Sequence, residues 1–310
     1  MRVFMTGASG WIGSAVVPEL LAEGHEVVGL ARSDASAAAL GTAGVKVLRG
    51  TLDDLDTLRA AADGADAVVH LAFKHDIAFT GDFQGAVEAD RRVVEAFGAA
   101  LAGSDRPLLI ASGTAGVASG RVASERDGHG GDPTATVAGP EGRQATAELL
   151  LSLASRGVRS SVVRLPPTVH GEGDPGFLRA VVGVARDKGV SGHVGDGSQR
   201  WPAVHRLDAA HLIRLTLEKA PAGSTVHAVD DEGVPLRSVA EVIGRHLDLP
   251  VVSVAPDDAG EHFGWPAPLL GTDGPASSAL TRELLGWRPT HPGLLDDLDQ
   301  GHYFEAAPVS

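Results

Sequence analysis

Gly7, Gly10 and Gly13 sit where an apolar run, RVFMT, gives way to the helical pattern WIGSAVVPELL. Glycines at such a junction allow a tight turn, close approach of the backbone to a pyrophosphate, and close packing of helix on sheet. The helix behind them offers unpaired N–H groups and the positive end of its dipole. The loop, with Ser9, Trp11 and Ile12, is therefore read as a dinucleotide cradle. A second group ends the next apolar run, VVGLARSD. An acid there would take the ribose 2′-hydroxyl of NAD, but Ala31 stands in its place, followed by Arg32 and Ser33. A guanidinium and a hydroxyl suit a 2′-phosphate, so NADP(H) is expected in preference to NAD(H), a preference that the nearby Asp34 tempers.

Proton-transfer chemistry needs a group that titrates near neutrality. The stretch HLAFKHD puts Lys74, His75 and Asp76 just beyond the fourth apolar run, and His75 is one candidate. The chain has 13 histidines, but none stands in an H-E-x-x-H or similar spacing, so no metal is expected. It has no cysteine, which excludes thiolate catalysis, disulfides and cysteine-based zinc sites.

The elements that must position these groups alternate. Strand patterns at 2–6, 26–31, 45–49, 66–72, 107–112 and 159–165 are separated by helix patterns near 11–23, 34–42, 54–63, 82–102 and 140–156. Alternation of this kind predicts an α/β fold, a Rossmann-type doubly wound parallel sheet. Residues 1–165 are expected to form the dinucleotide-binding core, with 207–229 returning to it. Residues 166–206 and 230–310 then make a smaller C-terminal α/β part that binds substrate. Glycine, proline and polar residues concentrate in 167–205, and helices are expected near 208–219, 236–247 and 277–286.

The spacing G-x-x-G-x-x-G resembles that of the short-chain dehydrogenase/reductase superfamily, and later motifs resemble its extended branch of epimerases, dehydratases and related reductases. GTLDDLDTL is similar to that branch's GDLxDxxxL, and VVHLAF to its VVHLAA. RLPPTVHGEGD is similar to RPxNVYGPG, and GDGSQRWPAVHRLDAAHLIRLTLE to GDGxxxRDFVHVDDVAxAxxLAL. The resemblance implies cofactor contacts at Leu52, Leu71, Ala72, Phe73, Ser112, Pro166 and Val169. It makes His205 structural. Gly195, Asp196, Gly197 and Arg200 fall where epimerases contact a sugar nucleotide, but with RWPAV following they read as substrate-loop architecture.

One departure matters. Set against the family's YxxSKxxAE, the stretch GPEGRQATAE puts Gly139 where the catalytic tyrosine belongs and Arg143 where the lysine belongs. The chain's single tyrosine is Tyr303. Arg143 can bond the nicotinamide ribose or a developing oxyanion but is a poor proton donor. Thr114 matches the residue that orients the carbonyl. The proton is then expected from His75, from His170 (which replaces the tyrosine of NVYG), or from a water held by Thr114 and Arg143. Three functions remain open: an NADPH-dependent reductase of a carbonyl or polarised double bond, a non-catalytic NADP(H)-binding sensor or regulator, and a nucleotide-sugar epimerase or dehydratase.

A net charge of −14 argues against a nucleic-acid partner. No apolar run reaches membrane-spanning length, and the N-terminus opens directly into a strand pattern, so a cytoplasmic protein with a small-molecule substrate is expected. The alanine-rich helices at 82–102 and 140–156 could pair two chains or pack within one, so either a monomer or a homodimer is expected.

Overall fold

Val3 and Met5 pack on one side of the first strand and Phe4 on the other, and all three are buried. A strand of this kind must be covered on both faces, which calls for a parallel sheet with crossover helices. The computed structural model describes residues 1–78, 80–131 and 140–305 and has that form.

The chain runs β1 (Arg2–Thr6), α1 (Gly13–Ala22), β2 (Glu26–Ala31), α2 (Asp34–Thr42), β3 (Lys46–Arg49) and α3 (Leu55–Asp63). It continues through β4 (Ala67–His70), the short α4 (His75–Ala78), α5 (Phe83–Leu101), β5 (Pro107–Gly113) and α6 (Pro140–Ser152). Next come β6 (Arg159–Leu165), β7 (Thr168–His170), α7 (Phe177–Lys188), β8 (Ser191–Val194), β9 (Arg200–His205) and α8 (Arg206–Lys219). Then follow β10 (Ser224–His227), β11 (Asp231–Pro235), α9 (Leu236–Leu247) and β12 (Val251–Val254). Short helices close the chain: α10 (Ala259–Phe263), α11 (Ala267–Leu270), α12 (Ala279–Leu285) and α13 (Leu294–Asp299).

Among the described residues, seven strands form one parallel sheet in the order β10, β6, β5, β4, β1, β2, β3. Strand order reverses beside β1, and the crevice above that reversal is where such a sheet binds ligands. α1 and α8 cover one face; α3, α5 and α6 cover the other. Phe97 on α5 is fully buried against Phe4, and deleting its ring would cost about 3–5 kcal/mol.

A second apolar core joins α7, α9, α10, α11 and α13 to the small sheets β11–β9–β7 and β12–β8. Within the segment read from sequence as less regular, α7 is a full helix. Leu178, Val181, Val182 and Ala185 give it a buried stripe at helical spacing. Gly183 and the valines lower its intrinsic propensity, so packing decides the matter. The helix near 140–156 ends as α-helix at Ser152, turns 3-10 over Leu153–Arg156, and stops at the left-handed Gly157. No helix among the described residues is long and apolar enough to cross a membrane.

Candidate functional site

At Gly7 and Gly13 the loop leaves no room for a side chain. Gly7 has φ +71°, and a Cβ there would lie 2.7 Å from the Ala72 nitrogen. A Cβ on Gly13 would come within 2.0 Å of the Gly7 carbonyl oxygen. The turn is closed by Gly10 N–H donating to the Gly7 oxygen at 3.0 Å. α1 starts here with no side-chain cap and no acid in its first turn; its Ser14, Ala15 and Val16 amides bond back to Gly10 and Ile12, and the positive end of the helix dipole faces the loop.

The neighbouring wall is fixed from beneath. Asp90 on α5 can only accept, so His70 Nε2 donates to it at 3.0 Å. His70 Nδ1 therefore accepts from the Thr6 hydroxyl at 2.6 Å, and Thr6 Oγ1 in turn accepts from Ala72 N–H at 3.3 Å. This buried chain sets the run Leu71–Phe73 against the glycine loop.

One cleft of about 1340 Å³ opens above the switch in strand order. That exceeds the roughly 300–1,000 Å³ usual for one small ligand, leaving room for a dinucleotide and a second molecule. Its lining includes Gly7, Ser9, Gly10, Trp11, Ile12, Gly13, Arg32, Leu52, Leu71, Ala72, Phe73, His75, Ser112, Arg143, Pro166 and Val169. Ser33, Thr114 and His170 are not part of it.

Each of the three has a local reason. Ser33 is the N-cap of α2, where its Oγ accepts from Ser36 N–H at 3.1 Å. The hydroxyl on the cleft wall belongs instead to Ser36, one turn on. Thr114 is buried behind the wall formed by Gly113 and Ala115, and its hydroxyl has no hydrogen-bond partner among the described residues. His170 is fully buried, pairs through Nδ1 with Asp297 at 2.9 Å, and packs edge-on against His205.

Arg143 projects from α6 with Nη2 donating to the Ala111 carbonyl at 2.7 Å, and its guanidinium lies 4.2 Å from the Phe73 ring centre. Burial, reinforced by Arg143 and opposed by Asp76, holds the His75 pKa below the ordinary histidine value. Arg32 reaches across to Asp76 at 2.8 Å, and Lys74 to Asp53 at 2.7 Å. Gly139, aligned with the family's tyrosine, lies outside the described residues. Tyr303 is buried, donates to Asp174 Oδ2 at 3.1 Å and accepts from Gly171 N–H at 3.2 Å. Burial and Asp174 push its pKa far above that of a free phenol, so it is no proton donor.

Asp174, Phe177, Trp265 and Leu269 also line the cleft, brought there by the second core. Sequence reasoning missed them because no local pattern joins 174–177 to 265–269. It also missed the meeting of His205, Asp208 and His291, whose ligand atoms lie within 4.8 Å of one another. Asp208 accepts from the Thr290 and His291 amides at 3.0 Å each and from His291 Nδ1 at 2.9 Å, tying the 290–291 turn to α8.

Residues 3–229 match the NAD dependent epimerase/dehydratase family. The chain belongs to that family. Epimerase/dehydratase enzymes bind NAD(P), and the glycine cradle, into which no Cβ fits, suits that group. An uncharacterized protein of Schizosaccharomyces pombe is 48% identical over 304 residues, covering 98% of this chain and 100% of its own length. A 3-diazoavenalumate denitrifying reductase of a Streptomyces species is 31% identical over 96% of this chain and 99% of its own. Among solved structures, a dTDP-glucose 4,6-dehydratase of Streptomyces venezuelae with NAD bound has a TM-score of 0.75 at 19% identity. The match covers 98% of this chain and 97% of that one. At that identity the likeness shows that the epimerase/dehydratase fold is shared.

Proposed function

We propose that the protein is an NADPH-dependent reductase acting on a carbonyl or polarised double bond of a small organic molecule. The observation that carries this reading is the guanidinium of Arg143, pinned between the Phe73 ring and the Ala111 carbonyl on the cleft wall. There it supplies a fixed positive charge to an oxygen that becomes negative in the transition state. Such preorganised donors are worth about 3–4 kcal/mol. When bound, NADPH supplies the hydride. Gly7, Gly10, Gly13 and the start of α1 hold its pyrophosphate, and Arg32 with Ser36 takes the 2′-phosphate.

With its pKa below the ordinary value, His75 is neutral at pH 7, so its ring N–H hydrogen-bonds the acceptor oxygen and the proton that completes the reduction comes from water. The Thr114 hydroxyl, buried behind the wall, lies outside the cleft and takes no part in this reading. The reductase among the relatives supports redox chemistry over epimerisation, which in this family also relies on the absent tyrosine.

A second reading is an NADP(H)-binding protein without turnover. The burial of Tyr303 behind Asp174, away from any acceptor, favours it. Titration with NADPH and NADH, followed by nicotinamide fluorescence, and then a carbonyl screen under single-turnover conditions, separates the two. Selective NADPH binding with consumption on addition of a carbonyl supports the reductase. Binding that no carbonyl discharges supports the sensor.

A further inference from the structure

From Phe73 on the cofactor wall outward, the cleft is aromatic. Phe73 and Phe83 lie 5.8 Å apart between ring centres, and Phe177 and Trp265 lie 4.7 Å apart. Trp265 is 56% exposed, so its ring, beside that of Phe177, forms accessible apolar surface on the cleft. Ile77 and Leu269 add to the apolar surface.

Charge is just as informative. The lysines and arginines among the described lining residues are Arg32, Lys74 and Arg143, and none falls within 165–177 or 265–269. Arg32 is paired with Asp76 and Lys74 with Asp53. Of the ionisable groups on those two segments, His170 and Glu172 stand outside the cleft lining, and the one that lines it is Asp174, an acid that would repel a diphosphate. Its oxygens already accept from Gly176 N–H at 2.7 Å and from Tyr303 at 3.1 Å. A sugar nucleotide needs cations around its diphosphate, and this part of the cleft offers none.

We propose that segments 173–177 and 265–269 form a binding site for an uncharged, planar aromatic carbonyl compound. Its ring lies against Phe177 and Trp265 and its carbonyl points toward Arg143. This names the substrate class for the reductase reading and rests on it.

The test titrates the full-length protein, with and without NADP+, by calorimetry with benzylideneacetone and separately with UDP-glucose. Benzylideneacetone is expected to bind and UDP-glucose not to. Trp265→Ala, at a position 56% exposed, should weaken benzylideneacetone about three- to tenfold, as loss of a ring pair does, and leave NADP+ affinity unchanged. Tighter binding of UDP-glucose, absence of benzylideneacetone binding, or equal affinity of wild type and Trp265→Ala would each overturn the proposal. NADP+ binding without aromatic affinity ends this inference alone. Aromatic affinity without NADP+ binding ends the reductase reading while the aromatic site stands.

Discussion

The guanidinium of Arg143 lies 4.2 Å from the centre of the Phe73 ring, so a residue of α6 and one from the end of β4 share a single rigid contact on the cleft wall. Replacing Arg143 with Met keeps the bulk over the ring and removes the charge. We expect kcat/KM for carbonyl reduction to fall about 10²- to 10³-fold, with NADPH affinity changing far less. Steady-state kinetics alongside a binding titration checks this.

Arg32 is held by Asp76 across the mouth of the cofactor cleft, and both side chains are exposed. An exposed pair of this sort is weak and readily exchanged for a phosphate. Arg32→Ala should weaken NADPH by about tenfold and NADH little, since about 1.4 kcal/mol separates a charge-assisted contact from none. Asp76→Asn should do the reverse and tighten NADPH by freeing the guanidinium.

Thr114 tests whether the layer behind the cleft wall takes part in the chemistry. Its buried hydroxyl has no partner among the described residues, so Thr114→Val should leave Tm unchanged or raise it. Turnover should also stay unchanged, because the hydroxyl lies behind the wall and outside the cleft. A drop in turnover without a loss of Tm would bring the hydroxyl into the mechanism.

How far the sequence reveals this site follows from distance along the chain. The glycine cradle is legible because turn, strand and helix lie within a dozen residues, and Arg143 because a motif frames it. Ser33 shows the limit of that method: the first hydroxyl after a strand is as good an N-cap as a phosphate ligand, and the cap wins. Its place in the NVYG-like motif makes His170 a candidate proton donor, yet its partner Asp297 lies 127 residues away and pairs with it in the interior. Trp265 and Phe177 meet only because the second core folds, so no periodicity announces them.

Acid stability provides a fourth test. His227 is buried, its Nδ1–H donating to the Ser277 carbonyl at 2.9 Å while Nε2 faces Arg164 at 3.4 Å. Burial, opposed by Glu125 and reinforced by Arg164, lowers its pKa from 6.5 to about 4. Between those values the unfolded chain binds the extra proton, so stability falls as pH drops from about 6.5 to about 4. The loss is at most on the order of 3 kcal/mol for this one group. His205, lowered to about 4 by burial and by its histidine neighbours, acts in the same direction. His227→Asn keeps the Nδ1-like donor and cannot titrate there. Its Tm should therefore decline less than that of the wild type across this window.

Trp11, in the glycine loop, donates from its indole to the Val169 carbonyl at 2.8 Å. Arg206 stacks 4.1 Å above the same ring and donates to Ser14 at 3.1 Å. The pyrophosphate cradle and the loop entering the aromatic segments are thus one mechanical unit. Any molecule that shifts Val169 toward or away from Trp11 changes the energy of the cradle, and free-energy linkage makes that effect mutual. Occupancy of the aromatic segments should alter dinucleotide affinity by the same factor by which dinucleotide alters theirs, so the two ligands would not arrive in random order with independent constants.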